Sequence, residues 1–264
     1  MRSNAASEPP NFDDQRSYSV QVQTAEMWMD MTSLGNLMNQ HVFACDGAPL
    51  SNISVRTTGD GRLQQTATMH KGVNVRVSMK ATVGVAPDGR LRLHVESEKA
   101  LGVPATGLLE MFGLKLSDLV DLKSRRGIAI SGNDIELDPG EILPPPHMRG
   151  HLTRAEIVGD RLHQIFGSAS DAAAAPLAPK DSNARNYLYF RGATLRFGKL
   201  TMSDTDLQLI DADQHDPFDF YPARYGAQLV AGYSKNTPHG GLRTYMPDFG
   251  KLAASARGPL RPPK

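Results

Sequence analysis

The chain has 264 residues, 40% hydrophobic and 22% charged, with a formal net charge of +1. That composition is ordinary for a globular protein with one large domain or two small ones, and the balanced charge gives no reason to expect nucleic acid as a partner. A single cysteine, Cys45, excludes an internal disulfide framework and a cysteine-built zinc cluster.

No stretch approaches the ~18–20 apolar residues of a membrane span, so no transmembrane segment is expected. Residues 1–17 are polar, carry Pro9-Pro10 and lack the apolar core of a signal peptide, so they read as a disordered or loosely attached segment. The compartment stays open: cytoplasm if this is the native start, periplasm or cell envelope if a signal lies upstream.

Ser19 to Gln23 alternates as a short strand. Thr24 to Ala44 then places Met27, Met31, Leu34, Met38 and Val42 at helical spacing, with Thr24 as N-cap and Glu26 in the first turn. The spacing predicts one helix of roughly 30 Å, stopped near Gly47 and Pro49. A β-rich tract follows. Ile53 and Val55 alternate with polar residues, and Gly59-Asp60-Gly61 signals a turn. Val73, Val75, Val77 and Met79 form the clearest period-2 run, and Leu91, Leu93 and Val95 return it after the Pro87-Asp88-Gly89 turn. The pattern predicts an antiparallel hairpin with one apolar face.

Residues 105–122 read as shorter helices broken at Gly113. Strands are predicted at 127–130 and 134–137 around Gly132-Asn133, and a hairpin over 150–166 turns at Gly159-Asp160. Residues 168–186 read as an exposed loop. Strand pattern resumes at Tyr187–Phe190, Thr194–Phe197 and Leu207–Ile210. Eleven of the seventeen aromatic residues fall between Tyr187 and Phe249, so this part needs a substantial core. Residues 251–264 are a basic, Pro-rich tail. The domain expectation is a single elongated unit over 18–250.

Chemistry-bearing motifs are sparse. Asp248-Phe249-Gly250 has the letters of a kinase metal motif but none of its companions. His147 and His151 are four apart, yet three prolines and Gly150 oppose a helix there, so no metal pair is assigned. Asp204, Asp206, Asp211, Asp213, Asp216 and Asp219 are dense enough for Ca²⁺, but the stretch fails as a 12-residue calcium loop because Pro222 or His215 falls where Glu is required. No nucleophile elbow or phosphate-binding loop occurs. No catalytic residue, cofactor or metal is assigned. Met27, Met29, Met31 and Met38 crowd one predicted helix, and methionine adapts to variable apolar partners.

The helix, the Val73–Val95 hairpin with Asp88-Gly89, the run Asn133-Asp134-Ile135-Glu136-Leu137-Asp138-Pro139 before Ile142-Leu143-Pro144-Pro145-Pro146, then Gly150-His151-Leu152-Thr153 and Gly159-Asp160-Arg161-Leu162, carry a resemblance. Over residues 20–167 the chain resembles tubular lipid-binding (TULIP-like) proteins, including bacterial LmeA-like relatives. The resemblance implies a long helix wrapped by a bent antiparallel sheet, with acyl chains between.

The resulting expectation is an α+β fold, a long curved antiparallel sheet around one long N-terminal helix. Its function would be non-catalytic binding or transport of a lipid or other elongated hydrophobic molecule, with transient membrane contact. Met27, Met31, Leu34 and Met38 would line the tunnel opposite Val73, Val75 and Val77. Two alternatives stand beside it: a hydrolase using Asp211, Asp213 and Asp216 with His215, and a structural or interaction protein with no cavity.

Overall fold

The computed structural model describes residues 1–44, 48, 50–71, 73–100, 127–167, 179 and 183–253. The helices expected at 105–122, the stop at Gly47 and Pro49, and most of 168–186 and 251–264 lie outside the described residues. Contacts cluster into two compact units, Val20–Ala174 and Met1–Ser19 with Ala175–Lys264, where the sequence had suggested one domain over 18–250.

In Val20–Ala174 the expected long helix is replaced by two elements. Ala25–Asp30 is a strand (β1), and only Met31–Leu37 is α-helix (α1), continued by a π-helical turn over Met38–Val42. The physical reason lies at Asp30. Its backbone is extended, at φ −73° and ψ 160°, and its carboxylate accepts the Ser33 N–H at 2.8 Å, so Asp30 caps the helix and Thr24 does not. Ala25, Met27 and Met29 then point to the core while Glu26, Trp28 and Asp30 point out.

The main sheet of this unit is built from Leu50–Thr57 (β2), Leu63–Lys71 (β3), Val73–Val85 (β4), Leu91–Ala100 (β5), Ile128–Ser131 (β6) and Asp134–Leu137 (β7), in the order β2-β3-β4-β5-β7-β6, antiparallel throughout. It curls into a half-barrel. The β4–β5 turn works as expected: Gly89 sits at φ +83°, where a side chain is strained, and any Cβ would meet the His151 ring. A second antiparallel sheet orders Leu152–Val158 (β8), Arg161–Phe166 (β9) and β1. Met31, Leu34, Met38 and Val42 pack with Ile53, Leu63, Ala67, Ala81, Leu91, Leu93 and Leu137, and with Leu162 and Phe166 of the smaller sheet.

Asn39 fastens the helical segment to β2. Its Nδ2 donates to the carbonyls of Ile53 at 2.7 Å and Gly35 at 2.9 Å, and its Oδ1 accepts the Ile53 N–H at 2.9 Å. This satisfies backbone groups where the β2–β3 register shifts and Asn52 takes φ +52°.

In the second unit Tyr187–Arg191 (β10), Asp206–Asp211 (β13), Leu242–Met246 (β15) and Tyr233–Asn236 (β14) form a four-stranded sheet in the order β10-β13-β15-β14, with β13 and β15 parallel. Thr194–Phe197 (β11) and Leu200–Ser203 (β12) make a hairpin, and Tyr225–Ala231 is a helix (α2). The aromatic-rich core joins Phe197, Tyr225, Leu207, Leu209 and Met246 to Phe12, which is 4% exposed. The N-terminal segment is therefore anchored at Phe12, contrary to its polar composition. The Tyr225 hydroxyl donates to Asp13 Oδ1 and accepts the Gly198 N–H at 2.9 Å, and burial pushes its pKa well up.

Candidate apolar binding site

Strand register arranges the inner face of the main sheet in apolar rows. One row joins Val85, Leu91 and Leu137, and the next Val83, Leu93 and Ile135. Leu63, Ala81 and Val95 form a third, and all three are buried. Toward the other end of β3 and β4, Ala67 pairs with Val77, and the last complete row is Leu50, Met69 and Val75. Every member of this last row, Leu50, Met69 and Val75, is half-buried, whereas each of the other rows has at least one buried member. Val77, Val83, Val85 and Ile135 are half-buried among them, and the half-buried Gln65–Met79 pair separates Ala67–Val77 from the third row. The opposite face is polar, with Gln64 bonded to Ser78, His70 between Ser51 and Asn74, and His94 paired with Asp134. One face therefore has apolar surface to offer and the other does not.

The expected lining residues separate by burial. Met31, Leu34 and Met38 are 8%, 6% and 5% exposed and already packed against the sheet. Met27 reaches the same core from β1, paired with Gln164. Val77 packs at the edge of that core, and Val75 lies one row beyond. Val73 pairs with Lys71 in the ladder, and its side chain lies outside the described atoms. Leu50 and Met69 belong with Val75 but escaped the sequence reading. Gln65 interrupts the apolar alternation of β3, so Leu63–Lys71 gave little strand signal.

The smaller sheet carries a polar cluster on its outer face. Trp28 is 48% exposed and lies on the buried ring of His163, which pairs with it across β1 and β9. The two imidazole nitrogens meet Glu26 at 3.0 Å and Glu156 at 3.2 Å. The hydrogen bond with His163, followed by Arg154, holds the Glu156 carboxyl below its ordinary range.

Other candidates fall out differently. His147 Nδ1 is engaged by the Gly140 carbonyl at 3.2 Å, and the His151 ring lies beneath Gly89. Asp213 and Asp216 converge with Asp248, but around the Lys251 ammonium. The His215 side chain is exposed, and its backbone N–H donates to Asp213 Oδ1. Among the described residues no helix is long and apolar enough to cross a membrane. No protein-family model, curated protein or solved structure matches this chain.

Proposed function

We propose that the Val20–Ala174 unit binds an elongated apolar molecule, such as a lipid acyl chain, against the inner face of its curled sheet. The observation that carries this reading is the half-buried row Leu50–Met69–Val75, on the same sheet face as the buried Leu63, Ala67, Ala81, Leu91, Leu93 and Leu137. Covering such side chains is worth roughly 25 cal/mol per Å² of apolar surface, so a chain of methylenes binds there without a specific polar contact. The packed helix residues Met31, Leu34 and Met38 form the floor under the ligand, and Met69 supplies an adaptable wall. The resemblance to tubular lipid-binding proteins points the same way.

Native mass spectrometry of gently purified full-length protein, with titration of a fluorescent fatty acid, tests it. Co-purifying lipid and saturable uptake are expected. Reproducible absence of both overturns the reading. It would leave the second reading, a packed interaction module, which draws on the near-complete burial of the helix methionines.

A further inference from the structure

The polar face of the main sheet carries a row of three side chains from three adjacent strands. The Ser51 hydroxyl on β2 lies 2.8 Å from His70 Nε2 on β3, and His70 Nδ1 lies 2.7 Å from Asn74 Oδ1 on β4. The register explains the meeting. His70 and Asn74 are opposite one another across β3 and β4, and Ser51 is opposite Thr68, two residues before His70 on the same face. Ser51 is 19 residues from His70 and His70 is 4 from Asn74, so no contiguous motif marks them.

The contacts give the row a direction. An amide oxygen only accepts hydrogen bonds, so Asn74 Oδ1 takes the proton of His70 Nδ1. In the neutral ring Nε2 then presents its lone pair to the Ser51 hydroxyl. Hydroxyl, general base and orienting group stand in the order of an activated nucleophile, with both spacings inside the roughly 2.6–3.2 Å that proton transfer needs. A second feature converges on the same hydroxyl. Asn52, the next residue, takes φ +52° where β2 changes register, and its Nδ2 donates to Ser51 Oγ at 3.3 Å. An amide N–H beside the nucleophile is placed to meet negative charge developing on a carbonyl oxygen attacked from Oγ. The irregular backbone is held by Asn39, which bonds both the N–H and the carbonyl of Ile53.

We propose that Ser51, His70 and Asn74 form a serine-nucleophile site that hydrolyses short-chain carboxylic esters. Ser51 Oγ attacks the ester carbonyl carbon as its proton passes to His70 Nε2. The bond from that carbon to the alcohol oxygen then breaks, and Nε2 gives the proton to the leaving alcohol. Water attacks the acyl-Ser51 ester in the second half, passing its proton to Nε2. The carboxylic acid leaves as Oγ recovers that proton. Asn74 is a positioning residue that holds the ring and its tautomer, and Asn52 donates to the oxyanion. Ser51 is half-buried and His70 and Asn74 are exposed, so the site opens directly to water, which suits small soluble esters and supplies the second reactant. It does not draw on the apolar face behind it, so failure of fatty-acid uptake leaves it untouched.

The test uses the full chain with p-nitrophenyl acetate and, separately, a fluorophosphonate. Release of p-nitrophenol should exceed the buffer rate, and peptide mapping should place one phosphonyl group on Ser51. Ser51→Ala should lose the label and at least ~100-fold in kcat/KM. Asn74→Leu should slow both reactions by ~10-fold or more, whereas Asn74→Asp, which keeps an acceptor oxygen for Nδ1, should restore them. A merely structural role for Asn74 would not separate the two variants in this way. None of these side chains is in the buried core, so the variants should stay folded, which urea unfolding checks. Phosphonylation that misses Ser51, or hydrolysis no faster in the natural protein than in Ser51→Ala, overturns the proposal. Hydrolysis that survives Ser51→Ala but vanishes in His70→Ala overturns it too, by making the imidazole itself the nucleophile.

Discussion

Trp28 lies flat on His163, with ring centroids 4.0 Å apart and planes 14° from parallel. Each ring nitrogen of His163 has its own carboxylate, Glu26 or Glu156. A protonated imidazole donates to both at once, and its charge is also favoured against the indole face. Trp28 is the single tryptophan, so its fluorescence reports this contact alone. The stacked imidazole covers one face of the indole, so His163→Ala should expose that face to water and red-shift the emission. Steady-state emission spectra of the two proteins check this. An unchanged emission maximum in the variant rules out the stack as a determinant of the indole's surroundings.

Asp30 gives a pH dependence of known sign. The Ser33 N–H, then the Ser33 hydroxyl, holds its carboxyl below the ordinary aspartate range. A depressed folded pKa means that the stabilisation is fully present above the unfolded value. It fades as pH falls through the folded one. Asp30→Ala should destabilise the protein by ~1 kcal/mol at neutral pH, as N-cap removal generally does. The difference between the two proteins should close in the acid range below the usual aspartate pKa. Urea unfolding at several pH values measures it, and a difference that stays constant with pH would show that the carboxylate charge is not involved.

The same residue explains why the sequence misled at this point. Met27 and Met31 are four apart, a spacing that suits a helix turn and also two full strand repeats. Only Met31, Leu34 and Met38 require the helical period. The alternation of Ala25, Met27 and Met29 against Glu26, Trp28 and Asp30 was present, but no local signal made it win. Its cause is the pairing of β1 along the whole of β9, more than a hundred residues away. The β4–β5 hairpin was legible because Gly89 and the valine alternation act locally. β3 was not, since Gln65 occupies an inward position and its pairing with β4 comes from the tertiary fold. Phe12 could not be placed because a lone aromatic in a polar stretch carries no periodicity. Of the binding row, Val75 was legible, whereas Leu50 and Met69 required the strand register.

The Asn39 clamp should be a stability hot spot. Asn39→Ala leaves both backbone groups of Ile53 without the side-chain partners they have now. Buried unsatisfied groups cost about 1–3 kcal/mol each, so a total loss of ~2–4 kcal/mol is expected. Gly35, one turn earlier, should behave in the opposite way. A Cβ there meets the Ile53 carbonyl at 3.6 Å and the Val55 nitrogen at 3.7 Å, ordinary contact distances in a helical backbone. Gly35→Ala should therefore stabilise by up to ~1 kcal/mol through helix propensity. Chemical denaturation of the two variants separates them by sign. A destabilised Gly35→Ala would mean that the helix sits closer to β2 than these distances allow.

Binding and packing on the sheet should come apart at Val75 and Met31. Val75 is half-buried in the outermost complete row, so Val75→Ser loses little packing and should lower stability by less than ~1 kcal/mol. Its loss of apolar contact should weaken fatty-acid uptake several-fold if the ligand lies along Leu50, Met69 and Val75. Met31 is 8% exposed and enclosed by the core, so Met31→Ala should lose about 2–5 kcal/mol of stability. The cavity it leaves adds apolar room beneath the ligand, so uptake by the folded fraction should be retained. Fluorescent fatty-acid titration paired with urea unfolding measures both quantities in each variant. Should Val75→Ser bind like the natural protein while Met31→Ala loses binding in its folded state, the ligand would lie along the helix rather than along the outer row.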